Sequence, residues 1–244
     1  MTDGLLLLPA FPVDARMWRP QRDAFGDEVT IVAPNHPGFG GTPVPDVMTM
    51  EMAAASAVGA LDEAGLDRAV VCGLSMGGYV ALELWRRAPE RVAGFVFANT
   101  RAGADTAEGA ANRRALAERL RTEGKDFFAD GPPGLLSDRA SDELRATVRA
   151  MIADQPAEAI AAASLGMAER PDSTPDLPGI AVPTLVVTSD LDTLIPASVT
   201  SEMADGIPGA ELSVIEGAGH LSNLERPAEF NALLGARLSL HGLR

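Results

Sequence analysis

Short apolar runs recur along this chain, separated by amphipathic or alanine-rich stretches. Leu5 to Leu8, Val29 to Ala33, Ala69 to Leu74, Val92 to Ala98, Thr184 to Thr188 and Glu211 to Ile215 read as strands. Segments such as Tyr79 to Ala88 and Ala197 to Asp205 carry helical patterning between them. Strands alternating with helices predict an α/β fold on a mostly parallel sheet of about six strands. The alternation stops over residues 101–178. There Arg113 to Glu123, Asp142 to Ala153 and Ala157 to Glu169 read as helices, and Asp130-Gly131-Pro132-Pro133-Gly134 breaks the run.

The strand Ala69 to Leu74 ends on a serine held between glycines, Gly73-Leu74-Ser75-Met76-Gly77, and a helical pattern follows. A serine there sits on a strand-to-helix turn too tight for side chains two positions to either side. Gly73 and Gly77 have no Cβ, so the turn closes and the hydroxyl is pushed clear of the backbone. The helix beyond points backbone N–H groups and its positive dipole end at whatever Ser75 attacks. A nucleophilic serine also needs a base, and the base needs a group to orient it.

Three histidines are available, and two of them lie in loops after strands. His241 stands near the chain end and is a poor base. His36 follows the strand Val29 to Ala33 in Pro34-Asn35-His36-Pro37-Gly38-Phe39-Gly40-Gly41. His220 lies in Glu216-Gly217-Ala218-Gly219-His220, after the strand Glu211 to Ile215. Loops at the carboxyl ends of strands are where open α/β sheets build their sites, and by elimination His220 is the expected base. A carboxylate should follow another strand. Asp190 and Asp192, after Thr184 to Thr188, both qualify; a helix cap or a solvated loop charge is the competing role for either.

In these motifs the chain resembles the α/β-hydrolase family, whose triad runs Ser, acid, His. Gly73 to Gly78 resembles its nucleophile elbow, and Ala33 to Thr42 its D-x-P-G-x-G-x-S loop. Ser189 to Pro196 resembles its G-x-x-D-x-x-x-P acid loop, which singles out Asp192. Gly217 to His220 with Leu224 to Phe230 resembles its G-x-G-H…E-x-P-x-x-F ending. The resemblance implies a core of residues 1–100 and 179–244 under a helical cap of residues 101–178. It also implies that the backbone N–H groups of Phe11 and Met76 form an oxyanion hole. Trp18, Phe127, Phe128, Leu135, Leu194 and Leu221 become candidates to line a substrate pocket, with ordinary packing as the competing role.

The chain departs from the family in four places. Pro9-Ala10 stands where the family carries His-Gly before the oxyanion donor. Asn35 replaces the loop aspartate, and Ser189 stands where glycine is common. The usual N-terminal antiparallel hairpin is missing, which should leave Val29 to Ala33 at a sheet edge. An exposed edge invites pairing, so a homodimer joins the monomer as an expected state.

Composition narrows the partners. A net charge of −14 argues against nucleic acid and anionic membranes. The single cysteine, Cys72, excludes an internal disulfide and fits a reducing, cytoplasmic setting. Its place on the strand before Ser75 makes it a packing residue. No metal-ligand spacing, dinucleotide fingerprint, signal peptide or membrane-spanning stretch is found in the sequence, so neither cofactor nor metal is expected. The resemblance implies a serine hydrolase that cleaves a small carboxylic ester or lactone through an acyl-enzyme, nearest the enol-lactone hydrolase and small-esterase branch. A C–C bond hydrolase or cofactor-free lyase using the same triad is the alternative within the family. A non-catalytic ligand receptor on the same fold is the alternative outside enzymology.

Overall fold

Strand β1 (Asp3–Leu8) carries Leu5, Leu6, Leu7 and Leu8 in a row, and all four are fully buried. A strand with one wet face would alternate apolar and polar residues. A central parallel strand covered by helices on both faces does not. Each such leucine contributes ~1.5–3 kcal/mol of burial, which makes this strand a main anchor of the core. The computed structural model describes residues 2–128 and 130–243. After β1 come α1 (Arg19–Phe25), β2 (Ile31–Val32), α2 (Met50–Glu63), β3 (Arg68–Leu74), α3 (Met76–Arg87) and β4 (Val92–Ala98). The helices α4 (Ala107–Glu123), α5 (Asp142–Ala153) and α6 (Ala157–Ala168) follow without an intervening strand among the described residues. The chain then returns through β5 (Thr184–Ser189), α7 (Ala197–Gly206), β6 (Glu211–Ile215), α8 (Ser222–Glu225) and α9 (Pro227–Leu240).

The six strands lie in the order β2-β1-β3-β4-β5-β6, and every pairing among the described residues is parallel. From β1 the chain builds outward to β2, then crosses back to β3 on the other side and continues to β6. The order therefore reverses between β1 and β3. Loops leaving these two strands diverge and open a crevice at their carboxyl ends, the usual place for a site in such sheets. Phe11 follows β1 and Ser75 follows β3.

Local differences from the sequence reading have physical causes. Strand β2 pairs over Ile31 and Val32 alone, not over Val29 to Ala33. The Val29 N–H is taken by the Phe25 carbonyl at the end of α1, and Pro34 turns the chain away at the other end. Short as it is, β2 is the sheet edge that the missing hairpin implied. Helix α4 starts at Ala107, six residues before Arg113, because Thr106 caps it by accepting the Gly109 N–H at 3.0 Å. Both ends of the helical segment are tied by one carboxylate. The buried carboxylate of Asp105 pairs with Arg101, with Arg113 of α4 and with Arg170 beyond α6. No helix among the described residues is long and apolar enough to cross a membrane.

Candidate active site

Ser75 stands between β3 and α3 with φ 55° and ψ −117°, a conformation that costs a non-glycine residue of order 1–3 kcal/mol. Tight packing holds it there. A Cβ on Gly73 would meet the Gly77 carbonyl oxygen, one on Gly77 the Leu8 carbonyl oxygen, and one on Gly78 the Thr100 side chain, all well inside contact distance. The helix thereby seats its first turn directly on the end of β1. Thr100 Oγ1 also donates to the Ser75 carbonyl at 2.8 Å. Met76 is the first residue of α3, not three residues before it as the sequence pattern had it. Its N–H has no carbonyl four residues back inside the helix and is free to meet an anion.

The loop after β6 carries His220, and the loop after β5 carries Asp192. His220 Nδ1 lies 2.8 Å from Asp192 Oδ2, with both side chains buried. Asp192 Oδ1 accepts the N–H groups of Leu194 (2.9 Å) and Ile195 (3.0 Å). Burial alone would raise the Asp192 carboxyl; the hydrogen bond and charge of His220, with the Ile195 and Asn99 donors, more than offset it and hold the group below the usual carboxylate range. Asp190 does something else. Its Oδ1 accepts the Gly217 N–H at 2.6 Å and so pins the base of the His220 loop.

Several further residues hold this pair in place. Asn99, just past β4 and at φ 45°, donates Nδ2 to Asp192 Oδ2 (2.9 Å) and to Ser189 Oγ (2.6 Å). Its Oδ1 accepts from Ser222 Oγ at 2.6 Å. Ser189, the departure from glycine, donates to the Gly219 carbonyl at 2.6 Å and joins the acid loop to the histidine loop. Glu225 accepts the N–H groups of Gly219 (2.8 Å) and Ser137 (3.0 Å), and its other oxygen takes Ser137 Oγ (2.5 Å). Their sequence signals are an asparagine at a strand end, a serine in place of glycine in the acid-loop motif and the glutamate of the terminal motif.

The stretch before α5 touches each of these loops. Phe128 packs on Phe11 with ring centroids 6.2 Å apart. Gly134 lies against Thr193 and Leu194, beside Asp192. The Leu135 carbonyl accepts the Leu221 N–H at 3.0 Å, next to His220. Of the six pocket candidates, Trp18, Phe128, Leu135 and Leu221 are buried, and Trp18 packs its ring on Phe230 of α9. Phe127 and Leu194 are the exposed ones, 37% and 38%, and Arg119 lies 3.7 Å over the Phe127 ring. Cys72 is fully buried on β3, and burial pushes its thiol up, away from the thiolate. His241 is half-buried beside Gly94, near the amino end of β4 and so at the opposite end of the sheet from these loops. Among the described residues no group of three or more His, Cys, Asp or Glu side chains could hold a metal ion.

Known proteins share this fold. An esterase from Thermogutta terrifontis superposes with a TM-score of 0.92 at 39% identity, covering 100% of this chain and 90% of that one. The enol-lactonase from Burkholderia xenovorans LB400 superposes with a TM-score of 0.89 at 27% identity, over 98% and 92% of the two chains. A 3-oxoadipate enol-lactonase from Acinetobacter baylyi is 29% identical over 221 residues, 89% of this chain and 81% of that protein. Residues 5–233 match the model of the alpha/beta hydrolase family, and the chain belongs to that family.

Proposed function

We propose that this chain is a serine hydrolase that cleaves a small carboxylic ester or lactone through an acyl-enzyme. Residues 1–100 and 179–244 form its core and residues 101–178 its helical cap. What carries the reading is the pairing of a serine on a strained glycine-flanked elbow with a buried His220–Asp192 hydrogen bond in the same crevice-forming set of loops. Esterases and enol-lactonases among the relatives point to the same substrate chemistry.

In this reading His220 Nε2 takes the Ser75 proton as Oγ attacks the substrate carbonyl. Asp192, accepting from Nδ1, holds the imidazole in the tautomer that leaves Nε2 basic and stabilises the imidazolium. The N–H groups of Phe11 and Met76 receive the oxyanion, and each such donor is worth roughly 2.7–4 kcal/mol of barrier. The alcohol leaves with the proton from His220, and a water activated by the same imidazole releases the acid. In this reading Phe128 and residues 134–137, packed against these loops, shield the site from bulk water, which strengthens these charge interactions.

A fluorophosphonate probe tests this directly: it should label Ser75 in a stoichiometric, peptide-mapped reaction. Absence of labelling on folded protein overturns the proposal. Asp192→Asn should lower kcat by about 10⁴-fold by favouring the wrong tautomer, at little cost in binding. A panel of p-nitrophenyl esters, lactones and a vinylogous diketone separates ester or lactone hydrolysis from C–C bond cleavage.

A further inference from the structure

Pro9-Ala10 replaces the His-Gly pair before the expected oxyanion donor, yet the peptide group between these two residues is held at both ends. His36 Nε2 lies 3.0 Å from the Pro9 carbonyl oxygen, and the Ala10 N–H points at Met17 Sδ, 3.2 Å away. The acceptor is a carbonyl, so Nε2 carries the hydrogen and donates it. Proline has no N–H of its own, which leaves that carbonyl as its one backbone handle. The next peptide group along the chain is the one whose N–H belongs to Phe11. Fixing the plane of the Pro9–Ala10 peptide therefore fixes where the following N–H starts from.

The residue beside His36 holds the far end of the same loop. Asn35 Oδ1 accepts the Ala15 N–H at 2.8 Å. Gln155, almost fully buried, donates to Asp14 Oδ2 at 2.8 Å and accepts the Gly40 N–H at 3.0 Å. The glycine-rich loop after β2 thus grips the Pro9–Ala15 loop at both ends. His36 itself is 2% exposed. Burial pushes its imidazole down to about 4, against the weaker opposing pull of the Pro9 carbonyl, so it stays a neutral donor near neutrality.

We propose that His36 is a positioning residue for the reaction: by holding the Pro9 carbonyl it sets the Phe11 N–H for the oxyanion, replacing from the neighbouring loop the histidine missing after β1. The inference rests on the proposed reading of Phe11 as an oxyanion donor. An imidazole that merely fills space would support stability and leave the transition state alone. A positioning role acts where charge develops, on kcat and not on KM.

The experiment compares wild type with His36→Gln, which keeps an N–H able to reach the carbonyl, and His36→Met, which fills the volume without a donor. kcat and KM are measured on the p-nitrophenyl ester the wild type turns over fastest, together with Tm. His36→Met should lose about tenfold in kcat at unchanged KM, below the roughly 10²–10³-fold that deleting an oxyanion donor costs. His36→Gln should stay within about threefold of wild type, by keeping the hydrogen bond. Retained kcat in His36→Met, or equal losses in both variants, overturns the proposal. If His36→Met does not fold, His36→Asn takes its place, since its amide is too short for the contact; the same two outcomes then decide. A wild type that neither turns over esters nor reacts with the fluorophosphonate fails the proposed function itself, which these variants leave untouched.

Discussion

The two loops that flank the crevice are held in opposite ways. The elbow around Ser75 is fixed by backbone approaching backbone: Gly73 on Gly77, and Gly77 on the end of β1. Everything that defines it lies within a few residues of the serine or at the carboxyl ends of the two adjacent strands, β1 and β4. The Pro9–Ala15 loop is fixed by side chains reaching in from Met17, Asn35, His36 and Gln155. The elbow's shape is therefore a local property of a short motif. The facing loop takes its shape from partners up to 141 positions away in the chain.

The largest test of this contrast is on the elbow. If its sole product is a nucleophile held clear of the backbone, Ser75→Ala should lower kcat by about 10⁵–10⁶-fold, with the fold unchanged by circular dichroism. Activity surviving in that variant would remove the elbow's role.

Acid should strike the facing loop next. Folded His36 titrates at about 4 instead of the ordinary 6.5. As pH falls through that window the unfolded chain takes up the proton first, so the folded state loses stability. The loss should reach about 3 kcal/mol between roughly pH 6.5 and 4, and stability is fully regained above that window. Urea midpoints of wild type and His36→Gln over this range measure it, because the glutamine variant should lack this component. Parallel pH curves for the two proteins would contradict it.

Gly77→Ala asks whether the elbow tolerates even one methyl. The added carbon would press on the Leu8 carbonyl, part of the rigid sheet, so about 1–3 kcal/mol should be lost. Thermal melts should fall by several degrees, and probe labelling of Ser75 should slow. The smallest effect is the strain itself. Ser75→Gly, measured against Ser75→Ala, should be the more stable by about 1 kcal/mol, since glycine accepts φ 55° at little cost. Equal melting points would show that the surroundings carry no strain at this residue.

Legibility followed the same division. The strands Ala69 to Leu74 and Val92 to Ala98 are legible to within a residue, because a buried parallel strand advertises itself as an uninterrupted apolar run. Strand β2 is shorter than its apolar run, because its ends are decided by the Phe25 carbonyl and by Pro34, not by apolarity. Helix starts set by a cap at Thr106 or by the elbow at Ser75 lie ahead of the first helical spacing in the sequence, since caps weigh little beside a run of apolar spacing. Asn99 carries no such signal. A lone amide has no pattern, and its partners Ser189, Asp192 and Ser222 come from segments far along the chain.

By itself, the sequence determined the parallel sheet, its elbow, and the short set of residues from which a site could be built. Those follow from periodicity and from glycine's missing Cβ, both properties of neighbouring residues. Tertiary structure alone decided that Asp192 meets His220 while Asp190 pins Gly217. It also decided that His36 belongs to the Pro9 carbonyl. Such choices turn on which loops the strand order brings together, and a hydrogen bond of about 3 Å is specified only once the whole sheet has set the distance.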